Sequence, residues 1–177
     1  GAVIRAPHRG ELVAHCPRMK QEIERKFLVN GEAWRAGART AQRMRQGYLC
    51  VDPGRTVRVR VAGDQAWLTI KGASSGAARA EYEYPLPLTE ANRLLDDLCL
   101  QPIIDKTRHL VPHEGLVFEV DVFHGENTGL VLAELELERE DAPVLLPGWI
   151  GREVTGDERY FNAYLARRPF RSWPSPL

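Results

Sequence analysis

Alternation of charged and apolar positions with a period of two runs through most of the chain, which is the signature of strands with two unlike faces. Residues 21–29, read as a strand, put Glu22, Glu24 and Lys26 on one face and Ile23, Arg25 and Phe27 on the other, before the turn pair Asn30-Gly31. Residues 32–37 predict a short helical turn ending at Gly37. Strands follow over 43–52, stopped by Asp52-Pro53-Gly54, over 56–61 and over 66–71, the last two joined at hairpin length. The Gly/Ala/Ser-rich stretch 72–78 predicts a flexible loop, and residues 79–86 a strand ended by Pro85 and Pro87. Thr89 as N-cap, with Ala91, Leu94, Leu95 and Leu98 at helical spacing, predicts an amphipathic helix over 89–98. Strands return over 103–111, 116–123 and 131–139, with a loop over 124–129, and a second helix with Tyr160, Phe161, Tyr164 and Leu165 as its apolar face is predicted over 157–166.

Most of the eight strand-like segments share one oddity: charged residues stand two apart and segregate by sign. Glu22/Glu24, Glu81/Glu83, Glu119/Asp121 and Glu134/Glu136 are acidic, Arg58/Arg60 and Lys106/Arg108 are basic, and Lys71 adds a cation. Any one pair fits the wet face of an antiparallel sheet, but solubility does not require sorting by sign. A closed, eight-stranded antiparallel barrel makes sense of it, mainly β with a few flanking helices, its charged faces inward and its apolar faces outward. The interior of such a barrel is just wide enough for side chains or one small ligand. Burying so many ions costs several kcal/mol each unless they are paired or solvated, so a wet tunnel holding something highly charged is expected. Arg and Lys recognise phosphate, and clustered carboxylates without His or Cys suit hard cations that bridge phosphate oxygens. The predicted ligand is a metal-complexed oligophosphate, and phosphoryl transfer on it needs mainly positioning and charge neutralisation.

Composition narrows the classes. The 177 residues carry 24 Lys and Arg against 24 Asp and Glu, so the basic excess of a non-specific nucleic-acid binder is missing. Cysteines 16, 50 and 99 form neither a CxxC nor a disulfide framework, which favours a reducing cytoplasm, and no apolar run is long enough to predict a membrane span. The histidines at 8, 15, 109, 113 and 124 lack ligand spacing, and Trp34, Trp67 and Trp149 read as core or wall anchors. Residues 1–18 read as an extension ahead of Met19, residues 19–168 as the domain, and residues 169–177, rich in Pro and Arg, as a tail. The apolar outer faces permit a homodimer without specifying one.

The motif Glu22-x-Glu24-x-Lys26, with the later charged pairs in order, resembles the ExExK signature of the CYTH superfamily, the triphosphate tunnel metalloenzymes. Arg45-Gln46-Gly47-Tyr48-Leu49 and residues 149–157 are similar to its short bacterial members, several of which hydrolyse inorganic tripolyphosphate. The resemblance implies an eight-stranded tunnel, dependence on Mg²⁺ or Mn²⁺, and a substrate ending in triphosphate. It implies metal ligands at Glu22, Glu24, Asp121, Glu134 and Glu136, triphosphate contacts at Arg58, Arg60, Lys71, Lys106 and Arg108, supporting acids at Glu81, Glu83 and Glu119, and a water-orienting role for Lys26 with Tyr48. Hydrolysis of thiamine triphosphate or a nucleoside triphosphate is the alternative, ahead of adenylate cyclisation or polyphosphate and nucleotide binding without turnover. Two activators of the water stay open, because an unperturbed lysine with a pKa of about 10.4 is a poor base and a bound metal ion also acidifies water.

Overall fold

The computed structural model describes residues 23–75, 78–139 and 142–174; the predicted extension, Met19 and Glu22 lie outside them. Nine antiparallel strands form one sheet: β1 (Ile23–Val29), β2 (Gln42–Asp52), β3 (Arg55–Ala62), β4 (Gln65–Ser75), β5 (Ala78–Pro85), β6 (Ile104–His113), β7 (Leu116–Phe123), β8 (Val131–Leu137) and β9 (Ile150–Glu153). Their order is β5-β4-β3-β2-β6-β7-β8-β1-β9. The sheet is open, in place of the closed eight-stranded barrel expected from the pattern. β9, a four-residue strand too short to show periodicity, takes part of the outer edge of β1 by pairing Phe27 with Glu153 and Val29 with Ile150. The sheet nonetheless coils enough for side chains of β1 and β5 to line the same cavity.

The alternation sorts side chains as expected over most of this length. Outward residues make two apolar layers. Phe27, Val120, Ala133 and Leu135 pack with Trp34, which is 1% exposed and sits in the 3-10 turn Ala33–Gly37. Val59, Val61 and Ala66 pack against Ala91 and Leu95 of α1 (Leu88–Asp97). On the inner face, Leu28, Tyr48, Ile104, Phe123 and Leu132 meet Tyr160, Leu165 and Ala166, so an apolar plug fills one end of the concave side and the charged residues occupy the rest.

Four local expectations are corrected. α1 starts one residue early: Pro87, its φ near −58°, occupies the N-cap and no side chain caps the helix, so Thr89 does not. Ending at Asp97, α1 leaves Leu98 at its C-cap and 66% exposed rather than on the apolar face. The loop expected at 72–78 is largely strand, because ladder bonds are made by backbone and the small residues pair Ser74 with Arg79 and Ser75 with Ala78 after a bulge beyond Lys71. The helix expected over 157–166 is broken at Phe161, whose backbone is extended, into a 3-10 turn (Glu158–Tyr160) and the short α2 (Asn162–Leu165).

The segment read as a tail is docked as far as Trp173. The Trp173 ring makes edge contacts with Tyr160, Tyr164 and Phe170, and Phe170 N donates to the buried Asn127 Oδ1 at 2.8 Å. No helix among the described residues is long and apolar enough to cross a membrane.

Gly47 marks the closest packing outside the sheet. A Cβ there would lie 2.7 Å from Cys99 Cβ and 3.1 Å from Ile103 Cγ2, where Leu100 N donates to Tyr48 O. Gly47→Ala is expected to lose about 1–3 kcal/mol by overpacking, read in urea unfolding, whereas Gly148→Ala, which meets nothing within 4 Å, stays within about 0.5 kcal/mol of wild type.

Candidate functional site

A cavity of about 310 Å³ opens on the concave face. Its wall carries six cations (Lys26, Arg58, Arg60, Lys71, Lys106, Arg108), six carboxylates (Glu24, Glu81, Glu83, Glu119, Glu134, Glu136) and the amide of Asn162, with no aromatic or aliphatic residue among them. The sheet order explains the layout. The basic strands β4, β3 and β6 lie in the middle, and the acidic strands lie on either side, β5 on one and β7, β8 and β1 on the other. Coiling then turns a cationic floor up between two acidic walls.

Strand register decides which charges meet. Lys26 lies opposite Glu134, Lys71 opposite Glu81 and Arg108 opposite Asp121, and each pair forms an ion pair at 2.9, 2.9 and 2.7 Å respectively. Arg58 lies opposite Thr69, which lies opposite Glu83; Arg58 Nη2 donates to Thr69 Oγ1 at 3.3 Å and that hydroxyl donates to Glu83 at 3.1 Å. Gln46 lies opposite Arg60 and accepts from its Nε at 3.3 Å. Two pairs break the rule, because Glu24 faces Glu136 and Glu119 faces Glu134. Opposed like charges destabilise a sheet unless something cationic lies between them. Arg108 meets Glu119 and Glu134, while Glu24 has Lys26 Nζ at 3.4 Å.

The deepest charges form a continuous chain. Asp121, 0% exposed, receives Lys106 Nζ at 2.5 Å and both arms of Arg108 at 2.8 and 2.7 Å; Arg108 continues to Glu134 at 2.8 Å, and Glu134 to Lys26. Burial pushes the Asp121 carboxyl up, but Lys106 and Arg108 outweigh it and hold its pKa down at about 2. Burial alone would lower the Lys26 ammonium, yet Glu134 and Glu24 more than offset it and keep its pKa above the ordinary lysine value. The two carboxylates thus favour the ammonium form of Lys26. Burial, with Glu134 nearby, raises the Glu24 carboxyl. Burial, then Arg58 and Arg108, bring the Arg60 guanidinium down to about 10, the mark of a cation crowded by cations.

The β9–α2 connection holds this chemistry in place. Thr155 Oγ1 accepts from Lys26 N at 2.9 Å and Val154 N donates to Lys26 O at 2.8 Å, so the lysine's own backbone is clamped on its β9 side. The Phe161 ring lies 5.6 Å from Lys26 Nζ. A second lobe of about 300 Å³ shares Glu24, Lys26, Arg58, Lys71 and Asn162 with the first and adds Tyr48, Thr56, Thr69, Phe161 and Ala163.

The expected site residues thus gather in one place with two exceptions. Glu22 lies outside the described residues. Asp121, expected among the metal ligands, does not line the cavity, because both its oxygens are taken by Lys106 and Arg108 behind the wall. Sequence reasoning passed over Gln46, Thr69 and Asn162. Gln46 and Thr69 are uncharged, but each keeps the inward parity of a neighbour that was noticed, Tyr48 and Lys71 respectively. Asn162 sits inside an apolar helical pattern, where a polar residue reads as solvent-facing.

The CYTH domain family matches residues 20–168. An inorganic triphosphatase of Acetivibrio thermocellus is 49% identical over 155 residues, covering 88% of this chain and 99% of that protein. An inorganic triphosphatase of Nitrosomonas europaea is 38% identical over 150 residues, covering 82% and 96%. Among solved structures, the crystal structure of the inorganic triphosphatase NE1496 aligns with a TM-score of 0.64 at 36% identity, over 89% of this chain and 99% of that one.

The Asp121 cluster generates a stability prediction. Asp121→Asn leaves the buried Lys106 without its ion-pair partner and takes one of three carboxylates from Arg108, and is expected to lose about 3–5 kcal/mol, a melting-temperature drop of roughly 10 °C by calorimetry at 2–4 °C per kcal/mol. Asp121→Asn combined with Lys106→Met recovers part of that loss; equal losses in single and double variants would show that the pair does not act as a unit.

Proposed function

The chain belongs to the CYTH domain family, and on that premise we propose that it is a divalent-cation-dependent inorganic triphosphatase, splitting tripolyphosphate into pyrophosphate and orthophosphate. The observation that carries this reading is the composition of the cavity wall: six cations and six carboxylates around a space with room for a chain of phosphates. The two curated relatives bear the same activity in their names.

The cation floor receives the phosphates. Arg58 and Arg60 offer planar forks suited to two phosphate oxygens at once, and Lys71 a point charge. Arg58 Nε is buried and meets no hydrogen-bonding partner among the described residues, which leaves an unpartnered donor on a residue that lines the cavity. Lys26, held protonated by Glu134 and Glu24, neutralises charge on the phosphoryl group as it is displaced. Lys106 and Arg108 are tied to Asp121, so they act as fixed charges whose position does not change when substrate enters.

The carboxylates fit Mg²⁺ or Mn²⁺. Glu24, Glu134 and Glu136 supply only hard oxygen donors, and Glu24 and Glu136 oppose one another across β1 and β8. Among the described residues no three such side chains converge into a self-sufficient metal centre. That is the form expected for a cation held by one or two carboxylates and completed by phosphate oxygens. An ion held there by Glu24, Glu134 or Glu136 would supply charge neutralisation for the phosphates and a more acidic water.

Purified protein assayed with Mg²⁺ or Mn²⁺ against tripolyphosphate, thiamine triphosphate and ATP, following orthophosphate and cyclic AMP, is expected to turn over tripolyphosphate fastest and to form no cyclic AMP. Preference for either organic triphosphate contradicts the proposed substrate. Lys26→Ala is expected to lower kcat by about 10²–10³-fold, the usual loss of one preorganised charge stabiliser; a wild-type rate removes Lys26 from the reaction.

A further inference from the structure

Asn162 is the only uncharged residue bordering the charged lobe among its described lining, and it also borders the second lobe with Lys26 and Tyr48. Its Oδ1 is buried, yet meets no hydrogen-bonding group among the described residues. A buried acceptor left so is costly, and the great majority in native structures are satisfied. Its placement is not loose. The extended backbone at Phe161 breaks the predicted helix just before it, the Phe161 ring lies against Lys26, and Tyr160, Leu165 and Ala166 on either side are sealed into the apolar plug.

An amide carbonyl is an odd companion for a polyanion. It repels phosphate oxygens and calls for a hydrogen-bond donor; no cation of the wall bonds to it, and the donor this reaction brings is water. We infer that Asn162 positions the attacking water, its Oδ1 accepting a hydrogen bond that turns the water's lone pair toward the terminal phosphorus. This rests on the triphosphatase reading above. The water oxygen bonds to phosphorus as the phosphorus–bridging oxygen bond breaks, and that electron pair leaves on pyrophosphate. The proton given up by the water passes to a phosphoryl oxygen of the product, while Asn162 gains no proton.

The test is steady-state hydrolysis of tripolyphosphate with Mg²⁺ by wild type, Asn162→Leu, which keeps the shape without the acceptor, and Asn162→Ala. Both variants are expected to lose about 10- to 100-fold in kcat, in the range of lost single hydrogen-bonding groups at reacting centres, with KM within about threefold of wild type. Asn162→Leu is expected to melt no lower than wild type, since an unpartnered acceptor has been removed. Wild-type kcat in both variants, or a tenfold rise in KM at unchanged kcat, overturns the water role while leaving the triphosphatase reading intact. A wild-type chain that releases no orthophosphate from tripolyphosphate overturns both.

Discussion

The structure depends on the burial of Asp121 between Lys106 and Arg108. A carboxylate with no exposure is tolerable only because two cations saturate it, and the buried Lys106 in turn has its ion pair there. From this knot the charges run outward through Arg108 and Glu134 to Lys26, so the lysine is anchored to the most buried ion pair. An apolar core of the same volume would be at least as stable. The ionic one is explained by what it presents, a set of charges fixed before any ligand arrives, so that little reorganisation is needed when phosphate enters.

Antiparallel pairing converts that chemistry into geometry. Opposite charges face each other at Lys26 and Glu134, at Lys71 and Glu81, and at Arg108 and Asp121, which pins the register of three strand pairs as much as any hydrophobic contact. Acid faces acid at Glu24 and Glu136, at the exposed end of the same wall. That pairing of like charge is where a divalent cation and phosphate oxygens would fit.

Much of this was legible in the chain because the side-chain period of a strand is fixed at two. Once Glu24 and Lys26 share a face, so do Glu134 and Glu136 or Arg58 and Arg60, and the site residues follow without knowledge of the fold. Depth was not legible: nothing in the pair Glu119/Asp121 tells that Asp121 is sealed behind the wall while Glu119 lines the cavity. Closure was not legible either, since β9 is too short to show alternation and it takes an edge of β1. Asn162 escaped because its position follows from the backbone break at Phe161, a tertiary effect of the Tyr160 and Trp173 packing rather than of any periodicity.

The central claim is that the cavity takes its phosphates together with a divalent cation at the Glu24–Glu136 end. Calorimetric titration with a non-hydrolysable imido analogue of tripolyphosphate, run with Mg²⁺ and again with excess EDTA, tests it most directly. The account predicts saturable binding with Mg²⁺ that weakens at least tenfold in EDTA, and the same weakening with Mg²⁺ in a Glu24→Gln/Glu136→Gln double variant. Equal affinity with and without Mg²⁺ would contradict it.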